Sequence, residues 1–142
     1  MTVTELWACE ENMPGASCPL AGVPVEAGFP SPADDYIEKQ LDLNQLMVNH
    51  PEATFFMRVQ GDSMVEAGIH TGDILVVDRS QEAKEGSVIV AVLDGEFTVK
   101  QLRRRDGHIL LVPANQRYHT IRVTSEQDFQ VWGVVSYVVH AV

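Results

Sequence analysis

The stretch SVIVAVLDGEFTVKQLRRRDGHILLVP, residues 87–113, contains three β-rich runs separated by two Asp-Gly pairs. An Asp-Gly pair between such runs is typical of a two-residue hairpin turn, because both central residues of that turn take a positive φ. We therefore expect antiparallel hairpins that turn at Asp94-Gly95 and at Asp106-Gly107.

Further β-rich runs flank this stretch: TFFMRVQ (54–60), DILVVD (73–78), HTIRVT (119–124) and FQVWGVVSYVVHAV (129–142). Short strands joined by tight turns, with little helix to cover a parallel sheet, indicate a mainly β, antiparallel and partly barrel-like fold. One short helix is expected at about residues 43–49. Asp42 and Gln45 give it a start that resembles a capping box, and His50-Pro51 ends it.

The composition limits the classes of protein to consider. A chain of 142 residues is long enough for one domain with a core. Its apolar runs are too short to span a membrane, and no signal peptide is visible, so we expect a cytoplasmic protein without a membrane partner. Cys9 and Cys18 fit neither a disulfide framework nor paired zinc ligands, and no cofactor or metal is expected.

The net charge of −10 argues against a dedicated DNA-binding surface, because phosphate binding depends on clustered Lys and Arg. The one basic cluster is Arg103-Arg104-Arg105. It is either a solvated hairpin end or a contact for nucleic acid or an acidic partner, and the sequence leaves both open.

The N-terminal part of the chain differs from the rest. Five of the seven prolines lie before residue 34, and up to Ala27 the leader has four acidic residues and no Lys or Arg. Since proline lacks a backbone donor, we expect residues 1–33 to be an extended arm rather than a packed element, without helix or interior strand. The expected organisation is a flexible arm over residues 1–42 and a folded domain over residues 43–142.

Two residues are candidates for catalysis. Ser63 follows Gly61 in VQGDSMVEAGI, and a nucleophilic serine needs an exposed hydroxyl on a turn with backbone N–H groups nearby. The alternative is an ordinary Asx-turn. Lys100 lies among apolar neighbours in EFTVKQL, where burial lowers the pKa of an ammonium group so that the neutral amine can act as a general base. The alternative is a lysine that extends from a sheet edge into solvent.

Together these segments resemble a known family. The pattern GDSM...GI..GD.L.VD followed by G..V.A...GEFTVK.L resembles the LexA/UmuD self-cleaving serine peptidases, and GFPSPADDY, DLNQL and DGEFTVK resemble the UmuD-type branch. The resemblance covers roughly residues 25–142. It implies a LexA/signal-peptidase-type β fold, Ser63 as nucleophile, Lys100 as general base, and an oxyanion site at the backbone of Asp62 and Ser63.

The tetrapeptide VEAG occurs twice, at residues 25–28 and 65–68. The resemblance implies self-cleavage at Ala27-Gly28, in an arm that can lie along a sheet edge as an added strand. Glycine there lets the chain pass close to the nucleophile. We expect Ala67-Gly68 to survive, because it lies in the turn next to Ser63 and cannot become extended without unfolding that turn.

The resemblance also implies a biological setting. The processed form, residues 28–142, would be the accessory subunit of a Y-family, UmuC-like translesion DNA polymerase in the bacterial SOS DNA-damage response. The protein would be a homodimer, and a RecA filament on single-stranded DNA would stimulate cleavage. The alternative is a non-catalytic regulatory or binding subunit with a vestigial peptidase site.

Three other functions are considered. His70 with Asp73 or Asp78 could complete a Ser-His-Asp triad, although a surface histidine in a Thr-Gly turn is the simpler interpretation. A type I signal peptidase uses a similar Ser-Lys pair but needs a membrane anchor. A LexA-like repressor would need a helix-turn-helix domain ahead of the cleavage site. Only 27 residues precede Gly28, and this segment is acidic and rich in proline, so we do not expect such a domain.

Overall fold

The computed structural model of the chain describes residues 1–9, 15, 17–21 and 37–142. The chain divides into two compact units. One is formed by Met1–Glu11 with His50–Val142, and the other by Asn12–Asn49. The elements described in the two units are β1 Thr2–Ala8, β2 Ser17–Ala21, β3 Ile37–Asp42, helix α1 Leu43–Met47, β4 Thr54–Gln60, β5 Ile74–Asp78, β6 Val88–Leu93, β7 Glu96–Arg105, β8 His108–Val112, β9 Ile121–Arg122 and β10 Phe129–Val139, with 3₁₀ turns at Pro51–Ala53 and Val65–Ala67.

The first unit is built on one curved sheet. Its described strands run in the order β1-β4-β5-β10-β6-β7-β8-β9, and each neighbouring pair is antiparallel. The sheet forms a half-barrel, and apolar side chains fill its interior in two clusters, one around Met57 and Val99 and one around Ile89 and Leu102. The mainly β, antiparallel fold with one short α-helix is confirmed for the described residues.

Both expected hairpins are present. Leu93 pairs with Glu96 across Asp94-Gly95, and the φ angles of these two turn residues are +49° and +84°. The turn at Asp106-Gly107 repeats this geometry with φ angles of +52° and +76°. Positive φ at both central positions matches the right-handed twist of the strands that the turn joins, which explains why this local signal predicts the hairpins correctly.

The second unit contains the short helix and a two-stranded sheet. The Asp42 side chain caps α1 by accepting a hydrogen bond from the Asn44 N–H at 2.9 Å, as the sequence predicts. The helix ends at Met47, two residues before the expected limit. The strands β2 and β3 pair antiparallel. Pro19 lies in β2, whose one described neighbour is β3, and proline is tolerated in edge strands although it cannot donate a backbone hydrogen bond.

The structure differs from the sequence expectation at residues 2–8. These residues form β1 at the edge of the large sheet, paired with β4, and the side chains of Met1 and Val3 pack against the core. The reason lies in the local composition: TVTELWA contains no proline and is rich in β-branched and aromatic residues, which favour strands. The proline-based argument does not apply to residues 2–8, and the described residues Ser17–Ala21 also form a paired strand. For the leader residues outside the described ranges, the expected arm stays a prediction. The division into an arm over residues 1–42 and a domain over residues 43–142 stays a prediction.

Within the described residues, no helix combines the length and the apolar character needed to cross a membrane.

Candidate active site

Ser63 lies in the loop that follows β4. The loop turns at Gly61, whose φ is +113°, a value that glycine adopts without steric cost. Thr71 holds this turn from the other side, since its hydroxyl accepts from the Gly61 N–H at 2.9 Å and is 3.0 Å from the Gly61 carbonyl oxygen. The Ser63 carbonyl accepts from the Ala114 N–H at 2.8 Å. Hydrogen bonds on both sides, from the Thr71 side chain and from the Ala114 backbone, therefore fix the position of the serine.

Lys100 lies in the middle of β7, with its side chain directed at the serine. Its Nζ is 3.1 Å from the Ser63 Oγ, and it also donates to the Thr98 hydroxyl and the Val99 carbonyl at 3.2 Å and 3.0 Å. Ser63 is 0% exposed and Lys100 is 5% exposed. The lysine side chain therefore does not extend into solvent. The fold brings it next to a serine that lies 37 positions earlier in the chain.

The surroundings of Lys100 weaken its charge. Burial lowers the pKa of the Lys100 ammonium group below its ordinary value, and a hydrogen bond with the Met1 amino group acts in the opposite direction. No carboxylate of the described residues lies within ion-pair distance of Lys100. A buried amine with only neutral acceptors is easier to deprotonate than one that is paired with an acid.

Met1 covers the serine. Its amino group donates to the Ser63 Oγ at 2.9 Å, and burial, followed by the nearby charge of Lys100, lowers the pKa of this amine to about 6. The pairing of Thr2 with Gln60 brings Met1 over the Gly61 turn. The sequence predicts an exposed nucleophile, but Ser63 is buried, and Met1, just before the start of β1, contacts its Oγ.

The peptide unit before Ser63 is held from a distant loop. Asn115 Nδ2 donates to the Asp62 carbonyl at 2.8 Å, and the Tyr118 hydroxyl donates to the Asp62 carboxylate. The hydrogen bond to Asp62 is the largest cause of the raised pKa of Tyr118. In a trans peptide the C=O and the following N–H point in opposite directions, so the Asn115 contact also fixes the direction of the Ser63 N–H. Sequence reasoning missed Asn115 and Tyr118, because no local signal marks them.

Of the two VEAG copies, the structure describes the second, residues 65–68. The second copy forms the 3₁₀ turn Val65–Ala67, which ends at Gly68 with φ +80°. Its N–H groups are engaged, since Ala67 donates to the Met64 carbonyl at 3.0 Å and Glu66 donates to the Ala114 carbonyl at 2.9 Å. The Ala67-Gly68 bond is therefore part of a closed turn, as expected. The first copy, with Ala27-Gly28, lies outside the described residues.

The alternative Ser-His-Asp interpretation does not match the geometry. Within the described part of the chain, the side-chain partner of Ser63 Oγ is Lys100, and no histidine contacts it. The Asp78 carboxylate binds His50 at 2.8 Å and Ser80 at 2.6 Å. His70 contacts Asp73, but that carboxylate is shared with His140.

The arginine cluster lies at the end of β7, next to the Asp106-Gly107 turn. Glu85 accepts from Arg105 at 3.2 Å and from the Arg104 N–H at 2.9 Å, so an acid already compensates part of the positive charge. This arrangement fits the solvated hairpin end. A contact with nucleic acid or an acidic partner stays a prediction.

Comparison with known proteins identifies the family. Residues 19–136 match the family described as Peptidase S24-like. The chain belongs to this family. Protein SamA of Salmonella typhimurium is 43% identical over 135 residues, which are 95% of this chain and 94% of that protein. Protein MucA of Escherichia coli is 44% identical over 114 residues, 80% of this chain and 77% of its own.

A third relative comes from the repressor branch. LexA repressor 1 of Xanthomonas oryzae pv. oryzae is 40% identical over 111 residues, which are 78% of this chain and 54% of that protein. SamA and MucA are UmuD-like SOS mutagenesis proteins. The resemblance to the LexA/UmuD family and its UmuD-type branch is thus confirmed. The peptidase S24-like family, to which this chain belongs, is a family of serine peptidases.

Proposed function

We propose that this peptidase S24-like protein is a serine endopeptidase that cuts its own leader at Ala27-Gly28. The observation that carries the proposal is the buried hydrogen bond of 3.1 Å between Lys100 Nζ and Ser63 Oγ. A serine hydroxyl is a weak nucleophile until a base accepts its proton, and a lysine amine in a buried site can do so once it is neutral.

The proposed reaction runs in two steps. Neutral Lys100 takes the proton of the Ser63 hydroxyl as Oγ attacks the carbonyl carbon of Ala27. The peptide bond then breaks, and Lys100 returns the proton to the new amino group of Gly28. Water next hydrolyses the ester between Ser63 and Ala27 with the same lysine as base, which frees the Ala27 carboxylate and restores the serine.

The backbone N–H groups of Asp62 and Ser63 are the proposed oxyanion donors. Within the described residues neither group donates a hydrogen bond to the protein, and the contact of Asn115 with the Asp62 carbonyl orients the peptide unit. Donors that are fixed before the reaction stabilise the developing negative charge without having to reorganise. Asn115 and Tyr118 would act here as positioning residues.

The contact of Met1 with Ser63 adds a requirement. Residues 1–8 pair with the strand that leads to the nucleophile, and the Ser63 Oγ already accepts a hydrogen bond from Met1. The end of β1 must move before the carbonyl of Ala27 can reach the serine. Cleavage would therefore be slow in the isolated protein and faster with a partner that displaces β1, which supports the proposed stimulation by a RecA filament on single-stranded DNA.

We further propose the role of the processed form, residues 28–142. As in the UmuD-type branch, it would act as a homodimeric accessory subunit of a Y-family translesion DNA polymerase in the SOS response, in the bacterial cytoplasm. The covered serine is also the observation that favours the second candidate, a regulatory or binding subunit in which the peptidase site is vestigial. Self-cleavage distinguishes the two.

The bond assignment is tested with a matched pair of leader variants. Gly28→Glu places a bulky charge next to the scissile carbonyl, whereas Gly22→Glu makes the same change at the leader's other Ala-Gly pair, Ala21-Gly22. Intact mass spectrometry after incubation at mildly alkaline pH should give a fragment that begins at Gly28 in the wild type and in Gly22→Glu, and none in Gly28→Glu. A fragment that begins at Gly22, or normal cutting of Gly28→Glu, would overturn the assignment.

A further inference from the structure

A second group of polar side chains lies away from the Ser63–Lys100 pair. Asp73 immediately precedes β5, and His140 immediately follows β10. These two strands are neighbours, and the pairing of Ile74 with Val139 brings Asp73 opposite His140. His70 approaches from the turn before Asp73, and the two imidazole rings are 5.2 Å apart between centroids. Three residues that are separated by up to 70 positions thus meet at one end of the sheet.

The contacts of Asp73 define the cluster. One carboxylate oxygen accepts from the His70 backbone N–H at 2.8 Å and is 3.8 Å from the Nδ1 of that ring. The other oxygen is 2.5 Å from His140 Nδ1. The Asp73 side chain is 2% exposed, whereas the two histidine side chains are 50% and 48% exposed. A buried anion is therefore covered by two imidazoles that solvent can reach.

The charge of this group is incompletely balanced. Among the described residues, no Lys or Arg lies within ion-pair distance of Asp73, and its ion-pair partners are His70 and His140. A divalent cation would supply the missing positive charge, and its ligands would be a carboxylate oxygen and ring nitrogens.

We propose that His70, Asp73 and His140 form a binding site for a divalent transition-metal ion of the zinc class. One ligand atom from each residue lies within 4.8 Å of the others, and zinc bonds to nitrogen or carboxylate oxygen are about 2.0–2.2 Å long. Rotation of the two half-exposed rings would bring one nitrogen of each to bonding distance from a metal that is held by the Asp73 carboxylate. Two imidazoles and one carboxylate suit Zn²⁺, Ni²⁺ and Cu²⁺, while the hard cations Mg²⁺ and Ca²⁺ prefer oxygen ligands.

The bound metal would join two segments of the fold. His140 immediately follows the long strand β10, and His70 belongs to the loop that Thr71 ties to Gly61. A metal that bridges them would fix the end of β10 to the loop behind the serine turn. Because the metal binds the folded chain better than the unfolded one, it would raise the temperature of unfolding.

The test is a zinc titration of protein without a polyhistidine tag. Isothermal titration calorimetry should give one Zn²⁺ ion per chain, with binding at least tenfold weaker in His70→Ala and in His140→Ala. The unfolding temperature should rise with Zn²⁺ in the wild type and stay constant in both variants. Ni²⁺ should bind at the same stoichiometry, and Mg²⁺ should not bind.

Two controls make the result specific. His119→Ala removes an exposed histidine outside the cluster and should bind as the wild type does. A Cys9→Ser, Cys18→Ser double variant should also keep its affinity, which excludes capture of the metal by the two free thiols. The proposal is overturned if no stoichiometric binding occurs, if His70→Ala and His140→Ala both bind like the wild type, or if the double cysteine variant loses binding.

Discussion

The Ser63–Lys100 pair and the His70–Asp73–His140 cluster are both built around a buried ionisable group, yet their surroundings act in opposite ways. The ammonium of Lys100 has neutral acceptors as neighbours, so burial lowers its pKa. Burial also acts against the charge of Asp73, but hydrogen bonds from His140 and from the His70 backbone outweigh it and lower the pKa of Asp73. The surroundings of Lys100 therefore favour its neutral form, and those of Asp73 favour its ionised form.

Under the two proposals, this difference separates a general base from a metal ligand. A base must be able to exchange a proton near the working pH, while a ligand to a metal ion or a structural acceptor must stay deprotonated. Burial is common to both sites, so burial by itself predicts neither role. The partners within hydrogen-bond distance decide it.

Removal of the Lys100 amine should have the largest effect. Lys100→Met keeps the length and apolar stem of the side chain, and the loss of a general base is expected to slow self-cleavage by about 10²–10⁴-fold. The fold should persist, because an apolar group replaces a buried charge. Densitometry of the cleavage time course would measure the rate, with the exposed Lys84→Met as control. Equal rates in the two variants would show that Lys100 is not the base.

Loss of the Asp73 charge should lower stability. Asp73→Asn keeps the shape of the side chain but weakens its hydrogen bonds with His70 and His140, and we expect the free energy of unfolding to fall by about 1–3 kcal/mol. Urea unfolding followed by circular dichroism would measure the change. Asp128→Asn, at an exposed position, should have almost no effect. An unchanged midpoint for Asp73→Asn would mean that the cluster contributes nothing to the fold.

The pH dependence of cleavage should report the Lys100 amine. Only its neutral form accepts a proton, so the rate should rise up to about tenfold per pH unit below the pKa of Lys100 and level off above it. Because burial lowers this pKa, the plateau should begin below the ordinary lysine value of about 10.4. Single-turnover rates between pH 6 and 10 would test this, and a rate that is independent of pH would contradict it.

Weaker pairing of β1 should have the smallest effect, and it should accelerate cleavage. Val3 packs against the core, so Val3→Asp should favour release of β1, which begins next to Ser63. A loss of about 1 kcal/mol in this pairing would raise the rate about fivefold. Thr4→Asp, which changes an exposed position of the same strand, should change it less. Slower cleavage in Val3→Asp would indicate that β1 assists the reaction instead.

How far the sequence predicts this molecule depends on the range of each interaction. The turns at Asp94-Gly95 and Asp106-Gly107 follow from two adjacent residues, and so does the Asp42 cap of the helix. The pairing of β1 with β4 depends on a partner strand about fifty residues away. The prolines of the leader led to the expectation of an arm, so this strand was not predicted. Strand order was likewise not predicted, so the meeting of Asp73 with His140 could not be foreseen.

The candidate site shows the same limit. The family resemblance singled out Ser63 and Lys100, and the structure brings their side chains together. Asn115 and Tyr118 contact Asp62 from a loop more than fifty positions away, and neither lies in a recognisable motif. Tertiary contacts of this kind depend on the complete fold, which local patterns do not specify.

The most direct test of the account compares the wild type, Ser63→Ala and Lys100→Ala by intact mass spectrometry after incubation at mildly alkaline pH, with and without a RecA filament on single-stranded DNA. The account predicts a fragment that begins at Gly28 in the wild type, formed faster with the filament, and an uncut chain in both variants. An uncut wild type under all these conditions, or equal cleavage in Ser63→Ala, would contradict it.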